Sequence, residues 1–194
     1  MNFCKRFFGH LRTVLKHKYW VWYYMNKCGR GWQGIWHDMS KFSPVEFWES
    51  VKYYSGTDSP INVCKKDKGI SMAWMHHKGR NPHHYEYWQD NFDHGGEAKE
   101  MPWKYKVEMI CDYLAAGRAY MGKSFSYAAE YEWWKKKLEL PRAQHQNDKD
   151  FVTKVLGQLA YEEAMGGYKR ATVLFKCMLL VKKDQLYGGY NFKV

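Results

Sequence analysis

Cysteine pairs and long apolar runs are both missing from this sequence. The five cysteines (Cys4, Cys28, Cys64, Cys111 and Cys177) are odd in number and scattered, with no C-x-x-C pair, which argues against a disulfide framework and a thiolate zinc site. No segment approaches the ~18 consecutive apolar residues of a membrane span, and no apolar core of signal-peptide length follows the basic N-terminal residues. We therefore expect a cytoplasmic protein with no membrane partner.

Acidic side chains are scarce relative to basic ones. The 194 residues include 31 Lys plus Arg against 20 Asp plus Glu, a net charge of +11. Such a field attracts nucleotides, nucleic acid or acidic surfaces without distinguishing among them. Tyrosines and tryptophans interleave with the charges, as in single-strand binders, but most have the spacing of helix core positions. With 45% hydrophobic residues, one compact domain is expected and a disordered chain is excluded.

Strand-like alternation is also missing, and the pattern predicts an all-α fold. Ser43, Pro44 and Glu46 give one strong helix start. Residues 55–69, with two turn dipeptides and a Lys-Lys-Asp-Lys cluster, are predicted to be a surface loop, as are residues 90–101. We predict a helical domain over residues 1–125 and a helical extension over 126–194 that packs on it. The predicted helices are 5–28, 32–39, 44–54, 71–77, 102–120, 126–138, 149–165 and 168–185.

Histidine is concentrated. Four of the nine histidines (His76, His77, His83 and His84) fall within nine residues. Imidazoles and carboxylates bind divalent metals, so this clustering predicts a metal centre. Further back, His10 and His17 lie seven residues apart and point to the same side of the first helix, about 20° apart. Each could instead be a core histidine whose ring hydrogen-bonds a backbone carbonyl.

Two carboxylates accompany the histidines. His37 and Asp38 are adjacent, and because neighbours on a helix diverge by about 100°, they can share an ion only at a helix edge. Lys41 follows one turn later, where it could meet a substrate phosphate or pair with Asp38. Asp112 lies one turn beyond Glu108 on a face with small residues, so its carboxylate needs either Arg118 or a metal ion as its cation.

In this order, these elements resemble the HD-domain superfamily of metal-dependent phosphohydrolases over roughly residues 10 to 120. His10-Leu-Arg-Thr-Val14 looks like that family's opening His-x-x-x-Val, and His37-Asp38-Met-Ser-Lys41 like its His-Asp pair, with Met-Ser-Lys in place of Ile-Gly-Lys. The resemblance implies a compact HD-like bundle holding one or two divalent ions (Mn, Fe, Co, Zn or Mg), and His10 and His17 compete for the first-helix role. The implied ligands are His10, His17, His37, Asp38, His77, His83, His84 and Asp112.

A closer resemblance is to an uncharacterised family of small bacterial and phage proteins. Three stretches carry it: Thr-Val-Leu-Lys-His17-Lys-Tyr, His37-Asp38-Met-Ser-Lys41-Phe-Ser-Pro-Val-Glu46-Phe, and His77-Lys-Gly-Arg-Asn81-Pro-His83-His84-Tyr-Glu86-Tyr-Trp. His77 takes the position of the ligand in this resemblance, and we expect His76 to pack or hydrogen-bond behind the site.

Metal and charge together predict a phosphohydrolase acting on a phosphorylated small molecule, most readily a nucleotide. Asp38 would bridge two ions and Lys41 would assist catalysis, while Lys41, Arg80, Asn81 and Arg118 would bind substrate. One alternative is an HD-type di-iron oxygenase. Another is a non-catalytic basic helical protein that binds nucleic acid or a partner protein, with its histidines holding structural zinc or filling the core.

Overall fold

The computed structural model describes residues 1–90, 93 and 96–180, and within these ranges the protein is all-α. Short 3-10 turns at Met39–Phe42, Tyr85–Trp88 and Gly122–Ser124 join some of the helices. The described residues contain one isolated β-bridge, between Gln89 and Ala98. The helices are α1 (Phe3–Lys27), α2 (Gly31–Trp36), α3 (Pro44–Tyr53), α4 (Pro60–Lys68), α5 (Met72–Lys78), α6 (Trp103–Met121), α7 (Tyr127–Leu138) and α8 (Gln146–Leu180).

Serine side chains begin three of these helices. The hydroxyl oxygens of Ser43, Ser71 and Ser126 accept the backbone N–H groups three residues later, which satisfies donors that the first helical turn leaves free. The starts predicted for α3 and α5 are therefore confirmed. In α8 the backbone leaves helical geometry at Gly167, where φ is 76°, and this confirms the break predicted at Gly166-Gly167. Residues 181–185 of the predicted last helix lie outside the described residues.

The prediction of a surface loop over residues 55–69 is wrong, because Pro60–Lys68 forms α4. Ser59 and Pro60 provide the usual start, and Gly69 ends the helix at a φ of 75°. The lysine cluster that suggested a loop occupies the last turn, where positive charge is favourable beside the free carbonyl groups. Cys64 is buried and anchors the helix.

The main core lies where α1 packs against α6 and where α7 packs against α8. Side chains from both sides of residue 125 contribute to it, among them Val21, Ile110, Trp134 and Leu156, all fully buried. The domain boundary predicted at residue 125 stays a prediction. Among the described helices, none has both the length and the apolar character needed to cross a bilayer.

Candidate metal centre

The predicted ligands converge from five segments of the chain. His17 comes from α1, His77 from α5 and Asp112 from α6, while His37-Asp38 and His83-His84 lie in the turns that follow α2 and α5. The exposed fractions are 8% for His17, 2% for His37, Asp38 and His83, 3% for His77 and 9% for Asp112. With His84, which is half-buried, seven titratable side chains are gathered in a site that is largely closed to solvent.

The turn at His37-Asp38 brings two neighbouring side chains to the same point. The predicted helix over residues 32–39 is wrong at its end, since α2 stops at Trp36 and Asp38 takes a left-handed conformation with φ of 54°. This break removes the divergence that a helix would impose, and His37 Nε2 lies 3.1 Å from Asp38 Oδ2. The ammonium group of Lys18 donates to the carbonyl oxygens of His37, at 2.6 Å, and Ile35, at 3.1 Å, and so holds the turn on α1.

Two groups of ligand atoms share Asp38. In the first, His17 Nε2 lies 3.0 Å from Asp112 Oδ1, and His37 Nε2 lies 3.4 Å from the same oxygen. Asp38 Oδ2 completes this group.

In the second group, Asp38 Oδ1 lies 3.4 Å from both His77 Nε2 and His83 Nε2. His84 joins this group. Its ring centroid is 4.8 Å from that of His77 and 4.3 Å from that of His83. One carboxylate therefore faces two sets of imidazoles, with one oxygen toward each.

The atoms that face inward lack ordinary partners. Within the described part of the chain, the Nε2 atoms of His17, His37, His83 and His84 and the Oδ1 atom of Asp38 are buried with no neighbour in hydrogen-bonding geometry. Buried polar atoms are rarely left so. Ligands about 2.1 Å from a common ion lie about 3.0 Å apart in an octahedron and about 3.4 Å apart in a tetrahedron. Several ligand atoms lie 3.0–3.4 Å apart, as in those geometries, while His17 Nε2 and Asp38 Oδ2 are 3.8 Å apart. With small shifts of the side chains, these residues suit a divalent ion in each group.

The charge states also suit metal binding. Burial, with a contribution from Lys41, lowers the pKa of His17 to about 4, and burial with the nearby rings of His83 and His77 holds the pKa of His84 well below its usual value. Burial opposes ionisation of Asp112, but the imidazoles of His17 and His37 outweigh it and hold its pKa well below the usual range. Neutral imidazoles and ionised carboxylates are the forms that bind metal.

His37 is the exception. Burial acts to lower its pKa, but the carboxylates of Asp38, Asp112 and Glu108 outweigh burial and raise the pKa well above its usual value. Without an ion, a proton on this ring compensates the surrounding negative charge. A divalent cation in the first group would take over that compensation and displace the proton.

Two glutamates hold the outer nitrogens of the ligand histidines. Glu108 Oε1 lies 2.8 Å from Nδ1 of His37 and 3.3 Å from Nδ1 of His83, and the three residues form a third close group. Glu46 Oε2 lies 2.8 Å from Nδ1 of His77, while its Oε1 lies 2.6 Å from Nδ1 of His76. Such carboxylates fix the ring orientation and tautomer of metal ligands.

Neither role follows from the sequence alone, although a signal exists for each glutamate. Glu46 stands three residues after the capping Ser43, and Glu108 lies one turn before Asp112 on α6. His76 lies outside the three groups, behind Glu46.

The predicted substrate-binding residues occupy different surroundings. Lys41 Nζ lies 2.6 Å from Asp38 Oδ2, with 26% of its side chain exposed. Arg80 is exposed in the turn after α5. Asn81 is buried, and its amide donates to Ser40 Oγ and to the carbonyl oxygen of His77, both at 2.8 Å, so that side chain secures the end of α5.

Arg118 and His10 lie apart from the three groups. The Arg118 guanidinium lies over the rings of Trp20 and Tyr168, 4.6 Å and 4.9 Å from their centroids. Among the described residues, the basic groups within 4 Å of the Asp112 carboxylate are the imidazoles of His17, His37 and His83. Arg118 is therefore not the partner of Asp112. The His10 ring packs 5.2 Å from that of Phe47. The structure therefore favours His17 over His10 as the α1 member of the site.

A cavity of ≈ 230 Å³ reaches both ligand groups, and we call it the inner cavity. Its wall includes His17 and Asp112 from the first group and His77 and His84 from the second, with Lys41 beside them. The remaining wall is largely apolar and includes Val14, Pro60, Ile61, Ala73, Trp74, Ala116 and Ala119. A small molecule in this cavity would contact both groups at once.

Comparison with known proteins yields one match, to a family model. No curated protein and no solved structure matches this chain. A family model described as "Family of unknown function (DUF5662)" matches residues 6–158, which include every residue of the candidate centre. With most of its length matched, the chain belongs to the DUF5662 family.

Proposed function

We propose that the protein is a metal-dependent phosphohydrolase that acts on a nucleotide or other phosphoester with two divalent ions. The observation that carries this proposal is Asp38, whose two oxygens belong to two separate groups of buried histidines. A shared carboxylate between two ligand sets is what a two-ion phosphoesterase requires. The resemblance of the ligand order to the HD-domain superfamily and the net charge of +11 support an anionic substrate.

The ligands divide between the two ions. His17, His37, Asp112 and Asp38 Oδ2 would hold one, and His77, His83, His84 and Asp38 Oδ1 the other. Ions in these positions would polarise phosphoryl oxygens and lower the pKa of water to about 7, so that hydroxide is available at neutral pH.

Lys41 would neutralise charge on the substrate. Burial opposes its ionisation, but the carboxylates of Asp38 and Asp112 outweigh burial and raise its pKa, so the ammonium group stays charged at neutral pH. Its position on the wall of the inner cavity, beside Asp38, would place that charge next to phosphoryl oxygens at the centre. Glu46 and Glu108 would keep the ligand rings turned toward the ions.

The test combines metal analysis with a substrate screen. Protein purified without added ions should contain up to two equivalents of a divalent metal. With Mn²⁺, Co²⁺ or Fe²⁺ it should hydrolyse at least one member of a panel of nucleoside mono-, di- and triphosphates, cyclic nucleotides and bis(p-nitrophenyl) phosphate. Asp112→Asn should abolish that activity, whereas Asp58→Asn, the same change on a half-buried carboxylate paired with Lys66 outside the centre, should not. Full metal occupancy without hydrolysis of any panel member would contradict the proposal.

A di-iron oxygenase is the second candidate, and the largely apolar inner cavity is the observation that favours it. Five imidazoles with two carboxylates suit iron as well as they suit manganese or cobalt, and the inner cavity is largely apolar. Oxygen uptake that requires Fe²⁺ and is lost in Asp112→Asn, with no phosphate released from the panel, would select this candidate.

A further inference from the structure

A second cavity lies beside the inner one, and we call it the outer cleft. Its volume is ≈ 340 Å³. Ser59, Ile61, Trp74 and His84 line both spaces, so the outer cleft adjoins the inner cavity at these side chains. Beyond these shared residues its wall comes mainly from the end of α7 and the segments around Tyr85 and Arg142.

Cations and aromatic rings alternate around the outer cleft. Each of three basic side chains lies over the face of a ring that lines the cleft, and Arg142 also lies over the buried ring of Trp134, at 4.9 Å. The pairs are Lys65 on Trp74 at 5.0 Å, Lys137 on Trp133 at 5.6 Å and Arg142 on Tyr85 at 4.4 Å, measured to the ring centroids. Proteins that bind single-stranded nucleic acid combine rings that stack on bases with cations that follow the phosphates.

The side chains that line the outer cleft carry a net positive charge, which favours an anionic ligand. Among the described residues that line it, Glu86 is the one carboxylate against three cations. Arg142 Nε is buried and has no hydrogen-bond partner within the described part of the chain, so the cleft wall holds a donor that no protein acceptor satisfies. Trp133 is 38% exposed, which leaves ring surface for stacking.

The two spaces together indicate how the ligand is built. The inner cavity alone is smaller than the ~300–1,000 Å³ of ordinary ligand pockets, so a nucleotide whose phosphate lies at the ions must extend beyond it. The outer cleft adjoins the centre, and so does a third cavity of ≈ 330 Å³ lined by His37, Asp38 and Lys104. Lys41 is the one Lys or Arg among the described residues lining the inner cavity. Lys65, Lys137 and Arg142 line the outer cleft, whereas Lys104 is the one Lys or Arg among the described residues lining the third cavity, which also holds Asp38 and Glu108. A nucleoside triphosphate concentrates its charge at one point, whereas an oligonucleotide separates successive phosphates by an uncharged sugar and base.

We propose that the outer cleft binds single-stranded oligonucleotide and that the centre hydrolyses the terminal phosphodiester of that strand. This proposal rests on the phosphohydrolase function proposed above. Water would form a new bond from its oxygen to phosphorus, the bond from phosphorus to the ester oxygen of the neighbouring nucleoside would break, and that oxygen would take the proton released by water. The products are one terminal nucleotide and a strand shorter by one unit.

Binding is tested first, without turnover. Fluorescence anisotropy in EDTA measures the affinity of the full chain for labelled dT6 and U6, with dTMP as competitor. We expect dT6 or U6 to bind at least about tenfold more tightly than dTMP, and Trp133→Ala to weaken binding by about tenfold. Lys137→Gln should also weaken binding, whereas Lys136→Gln, its exposed neighbour outside the cleft, should not. Comparison of dT6 with U6 distinguishes DNA from RNA. Equal affinity for dT6 and dTMP, or no effect of Trp133→Ala in a folded variant, would overturn the proposal.

Hydrolysis is tested next with Mn²⁺-loaded protein. We expect kcat/KM to rise with chain length from dinucleotide to tetranucleotide. Trp133→Ala should raise KM for the tetranucleotide by about tenfold, whereas Lys136→Gln, outside the cleft, should change neither that KM nor kcat/KM for bis(p-nitrophenyl) phosphate. Hydrolysis of the small diester with no chain-length dependence would overturn this proposal and leave the phosphohydrolase function standing. Failure to cleave any diester, together with binding of dT6 that depends on Trp133, would overturn the phosphohydrolase function and retain the cleft as a nucleic-acid site.

Discussion

Glu108 contacts one histidine from each ligand group, so its replacement by glutamine tests both halves of the centre at once. Its Oε1 accepts from Nδ1 of His37 at 2.8 Å and lies 3.3 Å from Nδ1 of His83, while its Oε2 accepts from the amide of Gln33 at 2.6 Å. Burial opposes ionisation, but the two histidines outweigh it and lower the pKa of Glu108 to about 2. The side chain is therefore an acceptor on both oxygens at any pH where the protein would work.

Glutamine cannot replace those contacts, because its amide has one acceptor oxygen and one donor nitrogen. In Glu108→Gln, either the two imidazoles or Gln33 must face an NH₂ group. Loss of such an outer partner typically costs about 10- to 100-fold in metal affinity, which is about 1.4–2.7 kcal/mol per ion. The affinity for both ions should therefore fall. Among the proposed ligands, Glu46→Gln alters the contact to His77 alone, so it should lower the affinity for one ion and leave the affinity for the other unchanged.

Competition with a fluorescent chelator gives the two dissociation constants, and elemental analysis gives the stoichiometry. Glu132→Gln, the same change on an exposed glutamate of α7 that pairs with Lys135, is the matched control and should bind metal as the original protein does. Thermal unfolding of the metal-free variants checks that the fold survives. If Glu108→Gln bound both ions with unchanged affinity, the role of this carboxylate in orienting the ligands would be refuted, and if one ion alone weakened, Glu108 would not couple the two groups.

Three further predictions concern two residues at the site and one, His10, that lies apart from the ligand groups. Asp38→Asn should lose at least one of two bound ions while the helical circular dichroism persists, because the carboxylate serves both groups but the main core lies elsewhere; retention of both ions would contradict the shared role. His77→Gln should lose more metal than His76→Gln, since the His76 ring contacts Glu46 rather than the inner oxygens; an equal loss at His76 would reverse the assignment. Burial and a nearby lysine lower the pKa of His10 to about 4. As pH falls, the unfolded chain therefore takes up a proton at this residue before the folded protein does. The free energy of unfolding of metal-free protein should decrease between about pH 6.5 and about pH 4, by up to about 3 kcal/mol. In His10→Phe, the difference in the free energy of unfolding between pH 7 and pH 4.5, measured with urea, should be smaller than in the original protein. The metal content of this variant should be unchanged.

Local sequence signals predict much of the helical structure. Serine caps, proline at the first helical position and glycine after the last turn act within a few residues, so α3, α5 and the break at Gly167 could be located from the sequence. The same signals were present at Ser59-Pro60 and Gly69, but the lysine cluster between them suggested a solvated loop. Charge at a helix C-terminus is a better account of those lysines.

The candidate site was predictable in composition and less so in geometry. Imidazole and carboxylate side chains are conspicuous wherever they fall, but the pairing of Glu108 with His37 spans 71 residues and that of Glu46 with His77 spans 31. No local pattern contains such contacts, because they depend on how α3 and α6 meet the turns that carry the histidines. The choice between His10 and His17 is of the same kind. Both face inward on α1, and only the position of Asp112 on α6 distinguishes the ring that reaches it.

The residue at position 38 must meet two requirements, a left-handed backbone conformation and a carboxylate side chain that both ligand groups share. A left-handed conformation costs an ordinary L-residue about 1–2 kcal/mol, and Asn and Asp tolerate it better than most because their short polar side chains can hydrogen-bond locally. Glycine would adopt the turn more readily but would remove the shared carboxylate, and asparagine would keep the turn but lose one acceptor oxygen. Since Lys18 holds the carbonyl oxygens on either side of Trp36, the backbone cannot relax to a helix without giving up those bonds. The strain in this turn therefore serves to point His37 and Asp38 at the same place, which a regular helix over these residues could not do.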